Sequence, residues 1–124
     1  MNGLKYLADT NAVIYRLGGN ACMKPFLQER LAVSVITCME LLSFPGLSEE
    51  EDNTIRRFLS LCEIIQIDER IQEETIRLRR KHKIKLPDSI IAASSITQKL
   101  TLITADAGFT RIEDLQMVEL QPET

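Results

Sequence analysis

An α/β fold is expected: a three-layer α/β/α sandwich around a mostly parallel central sheet of four or five strands. Two observations carry it. Short apolar runs recur along the chain, and the stretches between them show helix-start signals or apolar residues at helical spacing. In such folds ligands collect at the carboxyl ends of the strands, so the polar residues that end each run are the ones to follow.

The elements follow in order. Leu4–Ala8 is an apolar run stopped by Asp9-Thr10-Asn11, which suits a buried strand reaching its end, and residues 12–17 read as a short helix closed by Gly18-Gly19. Residues 25–30 form a plausible helix, and 31–36, rich in β-branched residues, a second strand. Thr37 followed by Glu40 is a capping-box pattern, so a helix is expected to start at Cys38 and stop at Pro45-Gly46. The acidic run 49–52 suits a helix amino end, with Ile55, Phe58, Leu59 and Leu61 on one face. Residues 63–67 read as a third strand, and Asp68 opens a long helix with apolar positions Ile71, Ile76 and Leu78. Asp88, after Pro87, begins a helix through residues 90–96, 100–103 form the fourth strand, and 117–120 a last short one.

Composition narrows the function. The 124 residues are 44% hydrophobic and 27% charged, enough for one core, so a single domain over residues 1–124 is expected. No tryptophan and 5% aromatic residues disfavour base-stacking platforms. With 15 Lys and Arg against 18 Asp and Glu, the net charge is −3, so any polyanion must meet a local basic patch. Cys22, Cys38 and Cys62 are odd in number and widely spaced, which suits reduced thiols rather than a zinc site. No spanning run or secretory signal is visible, so the expected compartment is the cytoplasm, with no membrane contact.

Four carboxylates stand where the fold gathers ligands: Asp9, Glu40, Asp88 and Asp106, separated by 31, 48 and 18 residues. Unpartnered in one cleft they would repel each other and raise one another's pKa. Divalent Mg²⁺ or Mn²⁺ resolves that conflict, and such a cluster suits phosphodiester hydrolysis by metal-activated water. Each acid also has a plain structural use: Asp9 or Asp106 as a turn residue, Glu40 reaching back to the Thr37 amide, Asp88 as a helix cap. Asn11 and Thr104 are supporting candidates that would orient a carboxylate or a water. The stretch from Arg77 to Lys85 holds six basic residues and no acid; its Arg79, Arg80, Lys81, Lys83 and Lys85, with Arg16, are candidate RNA-binding residues, and its plain alternative is a solvated helix end.

Residues 7–14, 34–41, 86–93 and 102–109 together resemble the four motif regions of the PIN domain, and the small size resembles the VapC-type toxin ribonucleases of toxin–antitoxin pairs. The resemblance spans about residues 4–115. It implies a PIN-like fold and a Mg²⁺- or Mn²⁺-dependent endoribonuclease with Asp9, Glu40, Asp88 and Asp106 as catalytic and metal-binding quartet. It further implies a homodimer, inhibition by a small antitoxin protein, and promoter DNA binding only through that antitoxin. One departure stands out: many relatives carry an acid just before the phenylalanine of the last motif, and this chain has Gly108 before Phe109. Alternatives are a non-catalytic PIN-like module binding RNA or protein, and a metal-dependent DNA nuclease. A phosphatase of the D-x-D type is disfavoured, because Asp9-Thr10-Asn11 lacks the second acid.

Overall fold

Alternation of side chains along each strand sets up two separate cores. In the computed structural model, which describes residues 3–124, β1 (Leu4–Ala8) sends Leu7 to one face of the sheet and Ala8 to the other. The first two residues of the expected 1–124 domain lie outside the described ones. In β2 (Arg30–Ser34), Ala32 joins Leu7, whereas Leu31 and Val33 join Ala8. The same split separates Ile65 from Ile64 in β3 (Glu63–Ile65), Leu102 from Ile103 in β4 (Thr101–Thr104), and Met117 from Val118 in β5 (Met117–Glu119). The strands are therefore apolar on both faces, as a parallel sheet covered by helices requires.

All four pairings are parallel, in the order β3-β2-β1-β4-β5. One face is covered by α1 (Thr10–Leu17), α2 (Val35–Leu42) and α3 (Glu49–Leu59), through Ala12, Val13, Leu41, Ile55 and Leu59. The other is covered by α4 (Glu69–Lys81) and α5 (Leu86–Gln98), through Ile71, Leu78 and residues 90–93. Each fully buried Leu or Ile here contributes about 1.5–3 kcal/mol relative to exposure. Helix α5 is buried on nearly every side from Ser89 to Ser95, so its serines must find partners. Ser94 Oγ donates to Ile90 O and Ser95 Oγ to Leu100 O, leaving neither hydroxyl stranded.

Chain direction across the sheet reverses between β1 and β4. From β1 the chain steps out through β2 to β3, whereas β4 and β5 lie on the opposite side. A crevice opens at such a reversal beyond the carboxyl ends of the strands. Asp9 leaves β1 there, with its N–H donating to Ile103 O at 3.1 Å.

Several element bounds differ from the sequence reading. Ser34, not Thr37, caps α2: its side chain accepts from Ile36 N, so Val35 and Ile36 are helical and β2 is shorter. The expected helix at 25–30 is a 3-10 turn over Ala21–Phe26, and Arg30 is in a strand, because Pro25 cannot donate within a regular helix. Ile76 and Leu61 are exposed; Thr75 takes the buried position in α4, and α3 ends before Leu61. The α3 cap is a reciprocal Ser48–Glu51 box. Helix α5 starts at Leu86 with Pro87 in its first turn, so Asp88 lies inside that turn and does not cap it. Lys83 and Lys85 lie beyond the end of α4.

Candidate active site

Asp9 is held from two sides by the local chain. It caps α1, its Oδ1 accepting from Ala12 N at 2.8 Å, and it accepts a hydrogen bond from the Thr104 side chain. Thr104 is fully buried, and its Oγ1 accepts from Asp106 N at 2.9 Å. One hydroxyl at the end of β4 thus fixes Asp9 and the backbone that carries Asp106.

Asp106 caps the 3-10 turn Ala107–Arg111, its Oδ1 accepting from Gly108 N at 2.8 Å. A Cβ at position 108 would sit 2.9 Å from that oxygen, so glycine is what lets the carboxylate fold back on this turn. Gly108, the departure in the last motif, thus offers its backbone N–H to Asp106 with no Cβ to crowd the carboxylate.

Glu40 lies in the second turn of α2, later than the capping-box reading placed it. Thr10 Oγ1 donates to Glu40 Oε1 at 2.5 Å and lies 3.0 Å from Oγ1 of Thr37, which is fully buried. The Thr10 hydroxyl, itself backed by Thr37, holds this carboxylate in place of the Thr37 amide. Thr10 is a site residue that the sequence reading missed; its signal is its place directly after the strand-end aspartate.

The four acids line one cleft of about 280 Å³, together with Thr10, Asn11, Ile14, Leu41, Phe44, Ile91 and Phe109. Asp9, from β1, is buried; Asp88, on α5, is half-buried; Glu40 and Asp106 are exposed. Burial pushes the Asp9 carboxyl above its ordinary value, the bonds from Thr104 and Ala12 oppose this, and the charges of Asp88 and Asp106 add to it. Burial likewise raises Asp88, reinforced by Asp106 and Glu40 and opposed by Lys85. The quartet is thus one electrostatic unit, made less stable by its own charge.

That repulsion, and a donor set made only of oxygens, fit a hard divalent cation such as Mg²⁺ or Mn²⁺. Among the described residues no three His, Cys, Asp or Glu side chains stand close enough to hold an ion together. Asp9, Glu40 and Asp106 are each turned onto a donor of the chain, so a shared ion requires side-chain rotation.

The basic candidates separate. Lys83 and Lys85 line a neighbouring cleft that also includes Asp88 and Asp106, and Arg111, which the sequence reading missed, joins them. Arg16 lies with its guanidinium carbon 5.7 Å from the Phe58 ring centroid. Arg77 pairs with Glu74 and Asp114, and with Arg80 it lines a different depression that contains Glu69, Glu73 and Glu74. Arg79 Nε donates to Ile84 O at 3.3 Å, tying the end of α4 to the following link. Lys81 is exposed at the last position of α4. Exposed Asn11 lines the acidic cleft. The three thiols are free and partly buried; burial, with Cys38 nearby, pushes Cys62 up to about 11.

A family model described as PIN domain matches residues 6–115. Among solved structures, a toxin–antitoxin complex from Klebsiella pneumoniae contains a chain 33% identical, with 92% of this chain and 96% of that one covered and a TM-score of 0.79. VapBC2 from Rickettsia felis, bound to a DNA fragment from their promoter, matches at 23% identity over 95% and 99% of the two chains, TM-score 0.82. VapBC-1 from nontypeable Haemophilus influenzae matches at 24% identity over 94% and 97%, TM-score 0.82. Among curated proteins, none matches the chain in sequence.

Proposed function

Because the chain belongs to the PIN-domain family, whose members are nucleases, we propose that it is a single-domain, metal-dependent endoribonuclease acting as the toxin of a toxin–antitoxin pair. The observation that supports this reading is the single cleft into which four separate elements deliver Asp9, Glu40, Asp88 and Asp106. These four are the catalytic and metal-binding residues in this reading. A bound Mg²⁺ or Mn²⁺ supplies Lewis-acid polarisation of the phosphate and a water of lowered pKa.

The chain supplies orientation and proton acceptors. Asp9 approaches from β1, locked by Ala12 N and Thr104, and Glu40 faces it from α2 in the grip of Thr10. No histidine lines the cleft among the described residues, so carboxylates are the acceptors for the proton that attacking water releases. Thr10→Val frees Glu40 and is expected to lower cleavage about 10–100-fold. Thr10→Ser keeps the hydroxyl and is expected to restore it; equal rates for the two variants would remove Thr10 from this role.

A small antitoxin is the proposed partner. The Klebsiella relative comes from a toxin–antitoxin complex, and beside the acids runs a mainly apolar groove of about 360 Å³ lined by Ile14, Leu17, Leu41, Phe44, Leu47 and Ile55, with Gly18, Glu50, Glu51 and Thr54 completing it. Phe44, common to groove and acidic cleft, is 59% exposed. An antitoxin segment lying there would reach the acids with a basic side chain. A homodimer, promoter DNA bound only through the antitoxin, and a cytoplasmic location complete the proposal. Among the described residues no helix is long and apolar enough to cross a membrane.

The test is cleavage of a mixed cellular RNA pool, and of DNA in parallel, by metal-free protein given Mg²⁺, Mn²⁺ or chelator. Discrete RNA fragments with metal and none with chelator are expected. Preferential cutting of DNA overturns the substrate assignment, and folded protein that cuts neither overturns the enzyme.

A further inference from the structure

The cleft of about 240 Å³ beside the acidic one shares Asp88, Asp106 and Phe109 with it, so two carboxylates stand in the dividing wall. Its other side is cationic. Lys83 and Lys85 come from the link between α4 and α5, and Arg111 ends the 3-10 turn after Asp106; all three are exposed. Arg111 Nε donates to Gly108 O at 3.2 Å, which ties the side chain to the turn that carries Asp106. Arg30 pairs with Glu63, Arg56 with Asp52 and Arg77 with Glu74 and Asp114, whereas Arg70 and Arg79 are tied to carbonyl oxygens. The Lys83–Lys85–Arg111 group has no such ion pair among the described residues.

A ligand continuous across this wall meets the acidic cleft on one side and three cations on the other. A nucleic-acid strand has that character, because it carries a charge at every nucleotide. An anionic peptide would bring its carboxylates against Asp88 and Asp106 with no chemistry that uses them. Resting on the ribonuclease reading above, we propose that Lys83, Lys85 and Arg111 form a subsite for the RNA backbone phosphate adjacent to the one that is cut.

The experiment measures binding of a fluorescein-labelled single-stranded 12-nucleotide RNA in chelator over a range of salt, and then cleavage kinetics with Mg²⁺. The variants are Lys85→Ala with Arg111→Ala, and Lys83→Ala with Lys85→Ala, which spares the turn after Asp106. Retained melting temperatures establish folding. Each pair is expected to raise Kd and KM about tenfold, and to flatten the salt slope by about 0.7, the change for a single phosphate that the protein no longer neutralises. Lys85→Arg and Arg111→Lys are expected to restore binding, and Lys24→Ala to change nothing. Wild-type slope, Kd and KM in both pairs would overturn the subsite while leaving the nuclease intact. RNA binding that depends on these residues in a protein that never cuts RNA would keep the subsite and overturn the nuclease. Displacement of the RNA by polyglutamate at lower concentration than by unlabelled RNA would reassign the cleft to an acidic protein segment.

Discussion

Asp9→Asn is expected to lower RNA cleavage on the order of 10³-fold while leaving the metal-free protein as stable as the wild type or more so. Asparagine caps a helix about as well as aspartate, so the bond from Ala12 N survives. What disappears is a buried charge facing Asp88 and Asp106. The Asp9 carboxyl is raised above its ordinary value in the folded chain, so the fold favours its protonated form. Its contribution to stability is lost as pH rises from the unfolded value through the folded one. The stability advantage of Asp9→Asn over wild type should therefore be small at acid pH, below the unfolded value, and greatest at neutral pH, as read by metal-free thermal denaturation. Saturating Mg²⁺ reverses the order, since only the wild type gains the binding energy, about 2.7 kcal/mol at a hundredfold excess over Kd. An unfolded Asp9→Asn protein would show that this carboxylate serves the fold rather than the chemistry.

Leu102→Ala is expected to have the largest effect on stability. Leu102 is fully buried in β4, registered between Leu7 of β1 and Met117 of β5, and it belongs to the core that contains Leu78 and Ile91. Removing such a side chain costs about 2–5 kcal/mol, a large part of the roughly 5–15 kcal/mol that holds a domain of this kind. The melting temperature should fall by about 10 °C or more. A drop of only a degree or two would mean that the sheet repacks around position 102.

Asp9 and Asp106 are legible in the sequence because each ends an apolar run, where a strand must give way to a turn. The parallel sheet is legible because its strands are apolar on both faces. Caps are harder to place. Ser34 and Thr37 both suit a helix start, and the choice falls to Ser34 because Thr37 is buried against Thr10. No local pattern reports a contact between residues 10 and 37. Ile76 satisfies helical spacing yet faces outward, since α4 is covered on one side only and Thr75 takes the inward position, its hydroxyl satisfied by Ile71 O. The basic run 77–85 reads as one feature, but the end of α4 splits it. Arg77 and Arg80 stay on the helix, whereas Lys83 and Lys85 reach the acids. Arg111 gives no signal at all, because its role depends on where the turn after β4 places it.

The pairing of β1 with β4 also sets when the acidic cleft comes into being. Asp9 is made well before its neighbours Thr104 and Asp106, and β1 has no β4 to pair with until they follow. At about 5–20 residues per second, several seconds separate the first acid from the last. A growing chain therefore carries its carboxylates apart until β4 and the turn after it have been made, and the centre closes only then. On the proposed ribonuclease reading, this order of events delays cleavage until the first and last acids of the quartet have both been made.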